Sequence, residues 1–172
     1  MPLLNKHSAS TKTALWGIMA ALALALSFLE SLLPTLPVPG ARLGLSNLVT
    51  VFALSSMGLP AALGITLTKA AFALLRGGTA CLMSLCGGVL STVTMALVLK
   101  LRCFSLWGTS LAGAVMHNLG QLAVALLLLD LSLVYYTPVL LLAALVAGSI
   151  TGISIQLLFP LLTQKIKFDT TR

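Results

Sequence analysis

Apolar residues run through this chain in long blocks, and the few polar or helix-breaking positions between them set the element boundaries. The first block predicts a helix over residues 13–33, capped by Ser10 or Thr11 and stopped at Pro34. A loop follows with Pro37, Pro39, Gly40 and Arg42. Residues 43–68 then carry no formal charge, but Gly58 and Pro60 divide them, predicting helices over 45–58 and 60–76. Both are short for a full membrane span, which takes about 20 residues. Arg76-Gly77-Gly78 turns the chain into a fourth helix over 79–99, and a basic loop over 100–105 leads to a fifth over 106–130. A loop with Tyr135, Tyr136 and Pro138 precedes a sixth helix that runs to residue 162. The pattern predicts an all-α bundle of six transmembrane helices. A basic leader (1–12) and a basic tail (163–172) flank one membrane domain over 13–162.

Composition fixes the solvent. With 59% hydrophobic and 8% charged residues over 172 positions, there is too little polar surface to cover a water-soluble domain of this size. The apolar stretch from Thr13 is too long for a signal-peptide core, and further spans follow it. The net charge of +7 does not point to nucleic acid, because the cations sit at the ends of apolar runs without interleaved exposed aromatics. They read as topology signals. Lys6, Lys12, Lys100, Arg102, Lys165, Lys167 and Arg172 fall on one side and only Arg42 and Arg76 on the other, which sets both termini in the cytoplasm of a multi-pass cell-membrane protein. Cys81, Cys86 and Cys103 form no Cys-x-x-Cys pair and have no His at ligand spacing, so neither a metal nor a disulfide framework is expected.

The charges left inside the spans carry the chemistry. A charged side chain at the bilayer centre costs about 2.5–3.5 kcal/mol on insertion scales, so Lys69, in the middle of the third helix, calls for a partner or a task. Arg76 lies seven residues on, along the same predicted face. The fifth helix adds His117, with Gln121 one turn further and Asn118 at the flank. Glu30 and Asn47 complete a set drawn from several helices, lining one polar cavity that opens outward. The plainer alternatives are that Lys69 neutralises Glu30 or snorkels, that His117 donates to a helix carbonyl, and that Asn118 and Gln121 join helices together. Arg42, Lys69 and Arg76 outnumber Glu30, which predicts an anionic ligand group against apolar walls.

Small residues make a second pattern. Gly17, Ala21 and Ala25 recur every four residues on the first helix, as do Ala144, Gly148 and Gly152 on the sixth, and both stripes permit close helix approach. Packing within the bundle and docking of a partner protein are both open for the first stripe. No nucleotide-binding loop, Ser-His-Asp order or metal-binding His pair accompanies them, so the chain is expected not to be an enzyme and to bind no cofactor of its own.

The blocks "PVPGARLGLSNLVTVFAL", "SLCGGVLSTV" and "GAVMHNLGQL" resemble the signatures of the Gx transporter family, which also carries the label heptaprenyl diphosphate synthase component I. That family is grouped with the substrate-capture S components of energy-coupling-factor (ECF) transporters. The resemblance implies a six-helix bundle with cytoplasmic termini and a substrate site on the outer side. It makes the loop after the first helix a lid, Arg42 a substrate or gate contact, and Asn47 part of the pocket wall. It also implies docking of a transmembrane T component on the small-residue motif of the first helix, with ATP used only by separate ATPase subunits. That motif in the family is Ala-x-x-x-Ala; Ala21 and Ala25 match it and Gly17 departs from it. The enzymatic label fits the composition poorly, because prenyl diphosphate synthases hold Mg²⁺ and diphosphate on clustered aspartates and this chain's acidic residues are Glu30, Asp130 and Asp169, each isolated. A non-catalytic membrane partner of such a synthase, or of an isoprenoid or quinone pathway, is the alternative; a scaffold without substrate is a third.

The charge bias has a direct check. A membrane-impermeant thiol reagent is expected to reach Cys103 only from the cytoplasmic side, with Cys81 at or just below the outer face. Labelling of Cys103 in intact cells reverses the topology.

Overall fold

The computed structural model describes residues 9–32, 44–101 and 104–169, with side chains as far as residue 160. Among them are six α-helices: α1 (Ala9–Leu32), α2 (Leu45–Met57), α3 (Leu59–Ala73), α4 (Gly78–Leu101), α5 (Leu106–Leu128) and α6 (Thr137–Asp169). Five of these, α3 counted with the 3₁₀ turn that extends it, are long and apolar enough to cross a bilayer, and the sixth, α2, has 13 residues. The chain is a multi-pass, all-α membrane protein.

Boundaries differ from expectation where local chemistry intervenes. Helix α1 is already formed at Ala9, so Ser10 and Thr11 lie inside its first turn and do not cap it, while the Thr13 hydroxyl donates back to the Ala9 carbonyl. Helix α3 stops at Ala73 and tightens into a 3₁₀ turn, Leu74–Arg76. Asp130 leaves α5 early: its carboxylate accepts the Ser132 backbone N–H at 2.7 Å and caps a 3₁₀ turn, Leu131–Tyr136. That hydrogen bond holds the Asp130 carboxyl below its ordinary range. Pro138 then sits in the first turn of α6, where its missing N–H costs nothing, and the helix continues through Pro160.

The short helix is the central one. α2 packs against all five others, and Val49 to Leu54 form an unbroken buried run, the mark of a helix enclosed on every side. At 1.5 Å per residue it is about 20 Å long, against about 30 Å of hydrocarbon. Gly58 alone joins it to α3, at φ +92°, a left-handed geometry that a side chain would strain, with its N–H returned to the Ala53 and Leu54 carbonyls. The resulting hairpin sets Asn47 opposite Lys69, which are equidistant from Gly58 along the chain.

Between α4 and α5 the contact is made by glycine. A Cβ on Gly87 would stand 2.6 Å from the His117 carbonyl oxygen, and one on Gly120 would stand 2.8 Å from Gly87 Cα. Polar rungs fasten the other helices: Thr66 to Thr92 hydroxyl (α3–α4) and Ser110 to Thr151 hydroxyl (α5–α6), both at 2.8 Å, and Trp16 Nε1–H to the Ala61 carbonyl (α1–α3) at 3.1 Å. The Ala144, Gly148, Gly152 stripe is internal: a Cβ on Gly148 would come within 2.8 Å of Ala114, and one on Gly152 within 2.8 Å of Trp107. The Gly17, Ala21, Ala25 stripe is exposed, with nothing within 4 Å of the Gly17 position.

These contrasts predict opposite outcomes for one substitution. Gly87→Ala is expected to destabilise by about 1–3 kcal/mol through overpacking, whereas Gly17→Ala should be neutral or slightly stabilising. Melting temperatures in detergent check both; equal melting of the two variants would mean the glycine seam does not bear on stability.

Candidate functional site

At the end of the bundle where α1 finishes and α2 begins, side chains from all six helices surround a polar cavity. Its enclosed space is about 30 Å³, which admits on the order of two waters. Glu30, Asn47, Lys69, His117, Asn118 and Gln121 line it together, as their sequence positions predict.

The lysine is the deepest charge. Lys69 is 6% exposed, and its ammonium donates to Asn47 Oδ1 at 3.0 Å and to Thr50 Oγ1 at 3.4 Å. Asn47 and Thr50 are neighbours at i, i+3 on α2, so one face of that helix serves one cation. The N-terminus of α2 opens into the same space. Gly44 precedes it at φ +70°, and the Leu45 N–H donates to Glu30 Oε1, so a carboxylate from α1 satisfies an otherwise orphaned donor at the positive end of the helix.

Helix α5 supplies the opposite wall. His117 and Gln121 follow at i, i+4, and the glycine seam lets α4 lie close enough to hold them. Asn118 is buried with its Nδ2–H donating to the Leu140 carbonyl at 3.1 Å, so it ties α5 to the start of α6 while lining the cavity. Gln121 is 4% exposed, and its Oε1 has no hydrogen-bond partner among the described residues.

One expected member stands elsewhere. Arg76 is exposed and does not line the cavity, because the 3₁₀ turn at the end of α3 winds more tightly than the helix that would have stacked it above Lys69. Arg42 and the lid assigned to its loop lie outside the described residues, as does Cys103. Among the described lining residues the formally charged side chains are Lys69 and Glu30, and Arg42 falls outside the described set. Hydroxyls were missed: Ser27, Ser46, Ser84 and Thr151 line the cavity and Thr50 binds the lysine. Their signal was spacing, since Ser27 precedes Glu30 by one helical turn and Thr50 follows Asn47 by one.

Removing the carboxylate tests the cap. Glu30→Ala is expected to cost about 0.5–2 kcal/mol, and Glu30→Gln, which keeps an acceptor for Leu45, to cost less. A melting temperature of Glu30→Ala equal to that of the parent chain would show that the α2 terminus does not need this side chain.

Among known sequences, the model of the family described as heptaprenyl diphosphate synthase component I matches residues 19–158, which is most of the chain and includes every lining residue of the cavity. No curated protein and no solved structure matches it.

Proposed function

The chain belongs to the heptaprenyl diphosphate synthase component I family, and on that premise we propose that it is a non-catalytic membrane subunit that captures a small polar molecule for uptake. In this reading it acts as an S component of the ECF type, with separate T and ATPase subunits supplying the energy. The observation that carries it is the cavity itself: a lysine, a carboxylate, an imidazole and two amides gathered inside a membrane bundle, where each is costly unless used. The outward face of Gly17, Ala21 and Ala25 supports a docking surface on α1, since the bundle's own packing on that helix uses Met19, Ala20 and Ala23 instead.

A second reading is favoured by the family's description: a membrane partner of a heptaprenyl diphosphate synthase whose catalytic chain is another protein. Both readings leave prenyl transfer to other chains. The acidic residues here do not cluster in sequence, and the Glu30 and Asp130 carboxylates already accept backbone N–H groups.

Affinity purification from the native membrane separates the two. Co-purification with an ATPase pair and a T component, lost in Ala21→Leu and Ala25→Leu while the bundle stays folded, is the expected result. A soluble prenyl synthase in their place would establish the second reading and end the first. Lys69→Met is expected to fold and to lose ligand-induced thermal stabilisation. Retained stabilisation would remove the cavity from the binding site.

A further inference from the structure

The enclosed space of about 30 Å³ is an order of magnitude below the roughly 300–1,000 Å³ of small-molecule sites, so one wall has to give way before an organic ligand enters. The helices around the cavity differ in how firmly they are held. Resting on the capture reading, we infer that the ligand enters sideways, through the seam between α1 and α6, and that the end of α1 carrying Ser27 and Glu30 is the wall that swings aside.

Packing locates the opening. Around α2 the other five helices stand in the order α1, α3, α4, α5, α6, each packed on the next, but among the described residues no Cα of α1 comes within 8 Å of one on α6. The cavity lies behind that gap, since Ser27 and Glu30 line it from α1 and Ala144, Ala147 and Thr151 from α6. The joints further round the ring are fastened, by the Thr66 and Thr92 hydroxyls between α3 and α4, by the glycine seam between α4 and α5, and by Ser110 and Thr151 between α5 and α6. Away from the cavity the gap is backed by apolar rings: Phe159 of α6 packs edge to face on Phe52 at 5.9 Å, in the core cluster that also holds Met19 and Ala23 of α1.

Helix α1 is itself held unevenly. Toward its start, the Trp16 Nε1–H donates to the Ala61 carbonyl, and the ring lies so near α3 that a Cβ on Gly64 would stand 3.1 Å from it. The buried residues of α1 are Met19, Ala20, Ala23 and Ser27. Beyond Ser27 none is buried: Phe28, Leu29, Ser31 and Leu32 are exposed, and Glu30 is half-buried, accepting the Leu45 N–H. A helix fixed on α3 at one end and tied at the other through polar side-chain contacts tilts at less cost than the glycine-packed pairs separate. Such a tilt widens the cavity at the seam and leaves Lys69, His117 and Gln121 in place on helices that do not move.

Distances between spin labels, measured on the full-length chain in lipid nanodiscs with its native cysteines replaced by alanine, report the motion directly. One pair spans the seam at the cavity end (Leu29→Cys with Leu142→Cys), a second spans it at the other end (Ala14→Cys with Leu157→Cys), and a third joins α5 to α6 (Leu127→Cys with Leu142→Cys); every labelled position is exposed. Glu30→Ala removes the acceptor for Leu45 and is expected to raise a longer-distance population at the cavity-end pair about tenfold, with the other two pairs unchanged. No change at the cavity-end pair, or the same change at all three, overturns the inference. Should Glu30→Ala fail to purify, thiol access in the alanine background decides. Ser27 and Ser91 are 5% and 2% exposed, and a Cβ on Gly113 of α5 would stand 3.2 Å from the Ser91 hydroxyl, inside the α4–α5 joint. N-ethylmaleimide is expected to reach Ser27→Cys at least about tenfold faster than Ser91→Cys, because the joint around Ser91 opens only with the whole bundle. Equal rates overturn the inference as well. Seam opening in a chain that never associates with an ATPase module would end the capture reading and leave this one standing; module association by a chain whose seam stays shut would do the opposite.

Discussion

An ammonium group held inside a membrane bundle dictates much of what surrounds it. Lys69 can remain there only with polar company, and the chain provides it on the adjacent helix, at Asn47 and Thr50. That arrangement requires α2 to double back against α3 in one register, which the single-residue turn at Gly58 enforces. It also requires α2 to be surrounded, because a helix presenting an asparagine and a threonine to a buried cation cannot face lipid. The five surrounding helices, each of which packs against α2, satisfy that requirement. The polar cavity is the space left where α2 ends short of them.

The glycine seam is the second determinant, and its effect is on the thickness of a wall. On one side of the α4–α5 contact lie His117 and Gln121 in the polar cavity; on the other is an apolar groove lined by residues such as Cys86, Val89 and Val124. Gly87 and Gly120 meet at that contact, where a Cβ on Gly120 would stand 2.8 Å from Gly87 Cα. Larger residues there would push α5 outward and carry both polar side chains away from Lys69.

The fold was largely legible in the sequence, since hydrophobic blocks of span length and their Gly and Pro breaks define six helices before any packing is known. The stacking of His117 with Gln121 was readable too, because regular helix geometry brings residues one turn apart onto one face. Arg76 was not, as its placement depends on where α3 gives way to a tighter turn, a local event that helical spacing ignores. The burial of α2 was equally hidden: its composition resembles that of its neighbours, and only the assembled bundle distinguishes a helix in protein from one in lipid. The hydroxyls around the cavity were overlooked because serine and threonine are common in membrane helices and usually bond to their own backbone, as Thr92 and Ser154 do here.

The shortness of α2 has an electrical consequence. With 13 residues where a full span takes about 20, α2 is about 10 Å shorter than the hydrocarbon thickness, so with Gly58 at one face of the bilayer the cavity at its N-terminus lies below the other. The voltage across the membrane then falls over a shorter distance at this point than through the surrounding lipid. A net charge moving to the cavity floor crosses part of that drop, out of about 2.3 kcal/mol per elementary charge per 100 mV for the whole membrane. Occupancy by a charged molecule would rise and fall with the energetic state of the cell, whereas a molecule without net charge would bind almost independently of it.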